Sequence, residues 1–330
     1  MKLLDTLKKH WEILYPQEST EKLEEFLNEI DKNKNEIQTP AHQPEWYKET
    51  IVYSLYVDLF NNDFVGLKEK LDYLQDLGVN CLWLLPILDS PMRDAGFDIR
   101  NYDRIRFELL GLPEDASLEA QRKLFREFVK DAHDRGIKVI FDIAINHTSD
   151  EHPWFQESRK SKDNPYREYY IWSKDTNLYK EARIIFEGLE ESNWEKDGDW
   201  YYFHRFFNFQ PDLNYRNPDV LLDMTRNFLF WLTQGVDGFR ADAIPYLWKE
   251  EGTTCENHPM LHHVVKFFRA VIDYVRPHTL LLAEACQRPN EVVKYFGEGD
   301  ECNAGYHFPL MPQIFKSLAA RDKKPVENIL

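Results

Sequence analysis

Two acidic residues stand at the ends of apolar runs, where their side chains could act together on a sugar bond. The segment GVDGFRADAIPY (235–246) ends its apolar run on Arg240 and Asp242, which lie two residues apart and so share one face of a strand. A second apolar run, TLLLAEA (279–285), ends on Glu284 in the same way. Because parallel barrel strands end at one edge, the pair could serve a glycosidic bond as nucleophile and general acid.

The two carboxylates need different protonation states for that chemistry. Arg240 is always charged, so we expect it to keep Asp242 ionised and oriented as a nucleophile. Glu284 must instead carry a proton at neutral pH to act as the acid. The alternative interpretation of Arg240 and Asp242 is a buried ion pair with a purely structural role.

A third strand end carries further polar residues. The segment DIAINH (142–147) places Asp142 and Asn146 on one face and His147 on the other, where the strand leaves the core. His147 could bind a sugar hydroxyl, or it could be a core histidine whose hydrogen bonds are satisfied within the protein. We expect Asp142 to lie at the same end of the sheet as the two acids above.

Strands and helices alternate from Trp46 onward, as a barrel of strand–helix units requires. Apolar runs predict the strands, and helical spacing that ends at a glycine predicts helices between them. The predicted strands are IVYSLYVDLF (51–60), NCLWLLP (80–86), KVIFDIAINH (138–147), the runs that end at Asp242 and Glu284, and NAGYHFPL (303–310). A barrel of this kind closes with eight strands, so the predicted fold class is α/β, an incomplete (β/α)8 TIM barrel of about six units.

The chain divides into four predicted segments. Residues 1–44 are a helical appendage, because apolar residues recur at helical spacing before a polar linker, NKNEIQTPAHQP (33–44). Residues 45–147 form the first part of the barrel, and residues 148–216, which are dense in aromatic residues, form a lobe inserted after the third strand. Residues 217–330 continue the barrel, which we expect to stop about two units early.

Composition narrows the classes of partner. The 330 residues are 43% hydrophobic and carry a formal net charge of −16. This charge and the lack of a Lys/Arg cluster argue against a nucleic-acid partner. No apolar stretch is long enough to span a membrane, and the N-terminus has no signal-peptide pattern. We therefore expect a cytoplasmic globular protein that binds a neutral small molecule and no membrane.

Four segments together resemble a known enzyme family. The segments DIAINH, FQPDLN, GFRADA and LLAEA, in this order and spacing, resemble the signature regions of the α-amylase family of glycoside hydrolases and transglycosidases. PYL followed by EGTTCENHP, and the residues after Glu284, are most similar to the trehalose synthase branch of that family. The resemblance extends from about Trp46 to the C-terminus. It implies that Asp242 is the nucleophile and Glu284 the acid/base, with Arg240 beside them.

The same resemblance implies a sugar-binding pocket. Its positions fall on Asp94, Phe97, His147, Phe206 and Gln210. Phe97 lies in DAGF, where the family usually has tyrosine. Aromatic faces suit the apolar side of a pyranose ring, whereas the alternative for Phe97 and Phe206 is packing within the lobe.

Metal binding is expected to differ from that of relatives. The loop after the first strand, NNDFVG (61–66), lacks the acidic repeat that binds calcium in many of them. A second calcium position known in the trehalose synthase branch matches Asn146, Asp212, Tyr246 and Leu247. Lys249 stands where that position would have a glutamate ligand, and its charge opposes a second cation. We expect no required cofactor and at most weak calcium binding.

The implied reaction is a retaining double displacement on a small α-glucoside, with interconversion of maltose and trehalose as the leading hypothesis. The alternatives are an α-glucosidase or α-amylase hydrolase, a non-catalytic sugar-binding module, and a chain whose remainder lies downstream. The third catalytic aspartate of the family lies in an Asn-His-Asp motif, which this sequence lacks, so we expect little turnover. An open barrel edge would also favour self-association.

Overall fold

The fold was analysed in a computed structural model that describes residues 2–34, 37, 44–113 and 115–330. The strands are β1 (Val52–Leu55), β2 (Cys81–Leu84), β3 (Leu88–Asp89), β4 (Asn101–Ile105), β5 (Lys138–Ala144), β6 (Trp172–Ser173), β7 (Trp194–Asp197), β8 (Trp200–Phe203), β9 (Gly238–Asp242), β10 (Leu280–Ala283) and β11 (Ala304–Gly305). The α-helices are α1 (Lys2–Leu14), α2 (Glu21–Asn33), α3 (Val57–Asn61), α4 (Phe64–Glu69), α5 (Leu71–Asp76), α6 (Leu118–Asp134), α7 (Pro153–Ser158), α8 (Pro218–Thr233), α9 (Pro259–Val275), α10 (Pro289–Val292), α11 (Leu310–Ala320) and α12 (Lys324–Glu327).

A parallel sheet of six strands, in the order β1-β2-β5-β9-β10-β11, forms the centre of the protein. Each strand pairs with the next one of the sheet along the chain, and helices lie between them in the sequence. This arrangement confirms the prediction of an incomplete (β/α)8 barrel with about six units. The sequence of strand β5 is strongly apolar because all its residues except Lys138 are buried.

Two predicted strands have less than half of their predicted length in the structure. The run 51–60 contributes only β1, and its second half forms helix α3. The run 303–310 contributes only β11, and Pro309 caps the start of helix α11. Short apolar runs do not distinguish a strand from a short helix, so both boundaries were wrong for the same reason.

The two N-terminal helices belong to the main hydrophobic core. Helix α1 packs along α9, and the buried side chains of Leu7 and Trp11 join the same apolar cluster as the barrel core. Phe26 of α2 stacks on Phe267 of α9, with ring centroids 6.4 Å apart. Most of the predicted linker 33–44 lies outside the described residues, and the division into four segments stays a prediction.

The segment predicted to be an inserted lobe contains a small antiparallel sheet, in the order β6-β8-β7. Its aromatic residues pack on one another. Phe155 of α7, for example, stacks on Trp172 of β6 with ring centroids 5.6 Å apart. A backbone bridge between His147 and Asp212 joins the segment to the residues that follow β5, and a bridge between Tyr170 and Leu213 lies within the segment.

Apolar side chains are exposed at both edges of the sheet. Val52 of edge strand β1 is 48% exposed, and Phe308 beyond β11 is 36% exposed. Helix α11 buries none of its residues and exposes Met311, Ile314, Phe315 and Leu318. No helix within the described part of the chain is long and apolar enough to cross a membrane.

Candidate active site

The predicted acidic residues lie together at the ends of three neighbouring strands. In the sheet register, Asp142 of β5 and Leu282 of β10 flank Arg240 of β9 on either side. Asp242 ends β9, and Glu284 directly follows β10. The structure therefore brings Asp142, Asp242 and Glu284 to one end of the sheet, as the sequence predicts.

One guanidinium group connects these three carboxylates. The Nη1 atom of Arg240 donates to Asp142 Oδ1 and to Asp242 Oδ1, both at 2.7 Å. Its Nη2 atom lies 3.7 Å from Glu284 Oε1. The other oxygen of Glu284 accepts a hydrogen bond from the backbone N–H of Ala243 at 3.2 Å. Arg240 therefore fixes the positions of both proposed catalytic carboxylates, and this contact is more than an isolated ion pair.

Asp142 also belongs to the site. The sequence analysis placed it at the same end of the sheet as the two acids but gave it no role. Its Oδ2 atom accepts a hydrogen bond from Trp83 Nε1 at 2.9 Å, and its side chain is buried. The sequence signal for this role was a single carboxylate inside an otherwise apolar strand, because a buried charge needs partners.

Burial alters the titration of the acidic groups around Arg240. The pKa of Asp242 is raised to about 8 by burial and by the nearby carboxylates of Glu284 and Asp142, while Arg240 opposes this rise. Burial likewise raises the pKa of Asp142 to about 6. One guanidinium charge thus faces three carboxylates, which favours a proton shared within the group. A retaining pair needs one proton between its two acids, so that proton has to reside on Glu284 when ionised Asp242 attacks.

A second group of predicted residues lies together where the family resemblance implies the sugar pocket, and this name is kept for the group. Gln210 Nε2 donates to Asp94 Oδ2 at 2.8 Å and lies 3.4 Å from His147 Nε2. The His147 ring packs on Phe206 with centroids 5.0 Å apart. Phe97 lies on the side of the carboxylates, its ring centroid 5.4 Å from the Arg240 guanidinium carbon. The structure therefore brings all the predicted sugar-binding residues to this region.

A hydrogen-bonded turn shapes the loop that carries Asp94 and Phe97, and burial sets the charge of His147. The buried carboxylate of Asp98 accepts hydrogen bonds from the backbone N–H groups of Arg93 and Asp94, at 3.1 and 3.2 Å. Ala95 has a φ of 49°, so the chain turns sharply between Asp94 and Phe97. Burial lowers the pKa of His147, which keeps its imidazole neutral and able both to donate and to accept.

A buried lysine lies behind the pocket. Lys249 Nζ donates to Asn146 Oδ1 at 2.7 Å, lies 2.8 Å from Asp212 Oδ2 and lies 3.4 Å from the carbonyl oxygen of Leu213. Burial lowers the pKa of Lys249, and the contact with Asp212 opposes this change. The ammonium group thus occupies the centre of an oxygen cluster.

The sequence of this chain matches a known catalytic domain over nearly its whole length. The model described as "Alpha amylase, catalytic domain" matches residues 29–327. The chain belongs to the α-amylase family. Helix α1 lies before the matched residues, so it is outside the part that the family model describes.

Named members of the α-amylase family are similar to this chain. Trehalose synthase/amylase TreS of Mycobacterium tuberculosis (strain CDC 1551 / Oshkosh) is 46% identical over 300 residues, which cover 87% of this chain and 48% of that protein. Oligo-1,6-glucosidase of Bacillus cereus is 42% identical over 219 residues, 64% of this chain and 37% of that protein. The chain spans about half the length of the trehalose synthase relative.

A solved structure shares the fold of this chain. The crystal structure of Bacillus licheniformis trehalose-6-phosphate hydrolase superposes with a TM-score of 0.71 at 28% identity. The superposition covers 82% of this chain and 50% of the hydrolase.

The residues at the calcium position implied by the resemblance to the trehalose synthase branch do not fit calcium in this chain. Of its predicted ligands, Asn146 and Asp212 direct side-chain oxygens at the ammonium group of Lys249. Tyr246 and Leu247 lie on the turn that follows β9. Calcium requires six to eight oxygen ligands. In this chain the ammonium group of Lys249 already contacts two of the oxygens that would serve as ligands.

Proposed function

We propose that the chain acts on α-linked glucosides by retaining double displacement, with maltose–trehalose interconversion as its reaction. The observation that carries this proposal is the position of the Arg240 guanidinium group. Its Nη1 atom lies 2.7 Å from Asp242 Oδ1, and its Nη2 atom lies 3.7 Å from Glu284 Oε1. A nucleophile and an acid on neighbouring strand ends are what a retaining mechanism uses.

The chemistry begins with a proton on Glu284. Glu284 donates it to the glycosidic oxygen while ionised Asp242 attacks the anomeric carbon, so that the bond to the leaving sugar breaks and a glucosyl ester forms. Arg240 stabilises the charge on Asp242 once the shared proton has moved to Glu284. In the second step, Glu284 takes a proton from the incoming hydroxyl as that oxygen displaces Asp242, and the α configuration is restored.

The sugar pocket would hold the glucosyl unit during both steps. Asp94, His147 and Gln210 offer hydrogen-bonding groups, while Phe206 and Phe97 offer apolar contacts. For interconversion, the released glucose must turn and attack through its own anomeric hydroxyl before water does. Exclusion of water therefore separates an isomerase from a hydrolase.

Relatives support two versions of this activity. The trehalose synthase/amylase relative at 46% identity supports interconversion. The oligo-1,6-glucosidase relative at 42% identity supports hydrolysis. Chromatography of maltose digests separates the two, because interconversion yields trehalose and hydrolysis yields only glucose.

A covalent trap tests the proposed mechanism directly. A fluorinated glucosyl fluoride reacts with a retaining enzyme to leave a long-lived glucosyl ester, which mass spectrometry locates on a peptide. We expect the ester on Asp242, and no ester in Asp242→Asn. Formation should be slow, since the sequence lacks the Asn-His-Asp motif and one missing electrostatic contact costs about 10²–10³ in rate. Maltose binding without any ester would overturn the proposal in favour of a non-catalytic binding module.

We also propose a cytoplasmic location, with a small glucoside such as maltose or trehalose as ligand and no nucleic-acid partner. The acidic net charge of −16 supports the absence of a nucleic-acid partner. All four cysteines are free thiols, and a reducing compartment would keep them so. Cell fractionation with an antibody against the chain tests the location.

A further inference from the structure

The residue that follows helix α1 reaches a segment near the sugar pocket. The hydroxyl of Tyr15 donates to the main-chain oxygen of Tyr215 at 3.0 Å. The hydroxyl of Tyr215 donates in turn to the main-chain oxygen of Ile145 at 2.6 Å. All three residues are buried. Two hydrogen bonds in series therefore connect the N-terminal helices with the end of strand β5.

The two ends of this connection belong to the pocket. Ile145 precedes Asn146 and His147, and Tyr215 follows the segment that carries Gln210. The backbone N–H of Leu213 donates to the carbonyl oxygen of Asn146 at 2.8 Å, so the segment and the strand end are joined at a second point. Tyr215 and Leu213 thus hold the segment that carries Gln210 against the strand end that carries His147.

The carbonyl groups at this strand end need partners, because buried backbone oxygens without a donor are costly. Tyrosine hydroxyls supply them. Tyr102 Oη lies 2.7 Å from the Ala144 oxygen and 3.2 Å from the His147 oxygen, while Tyr215 supplies Ile145. Burial raises the pKa of Tyr15 and Tyr215, so both hydroxyls keep their protons and donate.

We infer that helix α1 is a positioning element for the sugar pocket, with Tyr15 acting through Tyr215 on the placement of His147. The helix is firmly seated for this role, because Leu7 and Trp11 are fully buried against the core. It also lies outside the residues that match the family model. The sugar-binding part of this inference rests on the proposed function, whereas the placement of His147 does not.

The test compares two tyrosine hydroxyls that both join the N-terminal helices to the barrel. Tyr15→Phe removes the buried hydrogen bond to Tyr215. The matched control, Tyr274→Phe, removes a hydrogen bond of 2.5 Å from Tyr274 to Asp31 of α2 on the exposed surface. We expect Tyr15→Phe to weaken maltose binding by about 3- to 10-fold in calorimetry. The control should change it by less than about twofold.

A second readout separates positioning from stability. The imidazole nitrogen signals of His147, assigned with His147→Gln, report its hydrogen bonds by NMR without any ligand. We expect Tyr15→Phe and Tyr215→Phe to shift these signals and Tyr274→Phe to leave them in place. Unchanged His147 signals and affinity, with only a lower unfolding midpoint, would overturn the inference. Shifted signals in a chain that binds no maltose would uphold the inference and reject the proposed function.

Discussion

Arg240 is the residue on which the proposed chemistry depends most. Its two terminal nitrogens approach Asp142, Asp242 and Glu284 at once, which requires a planar fork with several donors. A lysine ammonium is a single point charge and cannot span the three carboxylates. The sequence analysis placed Arg240 beside Asp242 and Glu284, and the structure added Asp142 as a third partner.

The first prediction concerns replacement of the Arg240 guanidinium group. Arg240→Lys keeps the positive charge but loses the geometry that orients Asp242, so we expect the rate of glucosyl ester formation to fall by about 10²–10³. The control is Arg226→Lys, because Arg226 pairs with Glu29 on the surface, 39% exposed. Mass spectrometry over time measures both rates. An equal rate in Arg240→Lys would show that charge alone suffices.

The second prediction concerns the pH dependence of stability. Because the pKa of Asp242 is raised from 3.8 to about 8, the folded chain holds a proton that the unfolded chain has released. Stability from this group is full below the unfolded value and falls as pH rises toward 8. Asp242→Asn cannot ionise, so we expect it to gain stability relative to the unmodified chain between pH 5 and pH 8.

Urea unfolding of both chains at the two pH values measures this difference. Asp163→Asn is the control, because Asp163 is exposed in the segment predicted to be a lobe. A constant difference between Asp242→Asn and the unmodified chain at both pH values would contradict the raised pKa of Asp242.

At the scale of elements, Lys249 joins the end of β5 to the segment of the predicted lobe. Its ammonium group contacts Asn146 at the strand end and Asp212 and Leu213 on that segment. A calcium ion would make the same connection with oxygen ligands, so the lysine makes a metal unnecessary for this contact.

The third prediction exchanges this lysine for a ligand. We expect calorimetry to show weak or no calcium binding by the unmodified chain, and tighter binding by Lys249→Glu, which adds a carboxylate and removes the cation. The unfolding midpoint of Lys249→Glu should rise with calcium, as ligand linkage requires. Lys249→Gln, which adds only a neutral oxygen, is the control. Micromolar binding by the unmodified chain would refute this account.

Sequence patterns predicted the strand ends well and other features less well. Asp142, Asp242 and Glu284 were predicted at one edge because each interrupts or ends an apolar run, a local signal. Helix α3 was missed because its apolar residues continue those of β1 without a break. The pKa of Asp242 depends on burial and on neighbours distant in sequence. The contact of Tyr15 with Tyr215 joins residues 200 positions apart, which no local pattern records.

At the scale of the whole molecule, apolar surface gathers on helix α11. Met311, Ile314, Phe315 and Leu318 recur at helical spacing, and each is at least 42% exposed. An apolar stripe of this kind on a helix normally faces a partner. The open edge of the sheet beside it adds unpaired backbone groups.

The fourth prediction is self-association through this surface. We expect light scattering to show concentration-dependent oligomers, and Phe315→Glu to reduce them by placing a charge within the stripe. Leu189→Glu is the control, because Leu189 is 73% exposed on a separate part of the molecule. Monodisperse monomers of the unmodified chain would show that the stripe does not mediate association.

The seating of helix α1 on α9 also has a consequence for synthesis on the ribosome. His10 of α1 meets His263 of α9 across 253 residues of sequence. At roughly 5–20 residues per second, the ribosome needs about 10–50 s to make the second after the first. Throughout that interval the surface of α9 that covers α1 has not yet been made. The side of α1 that packs on α9 therefore stays uncovered by its native partner until translation has passed residue 263.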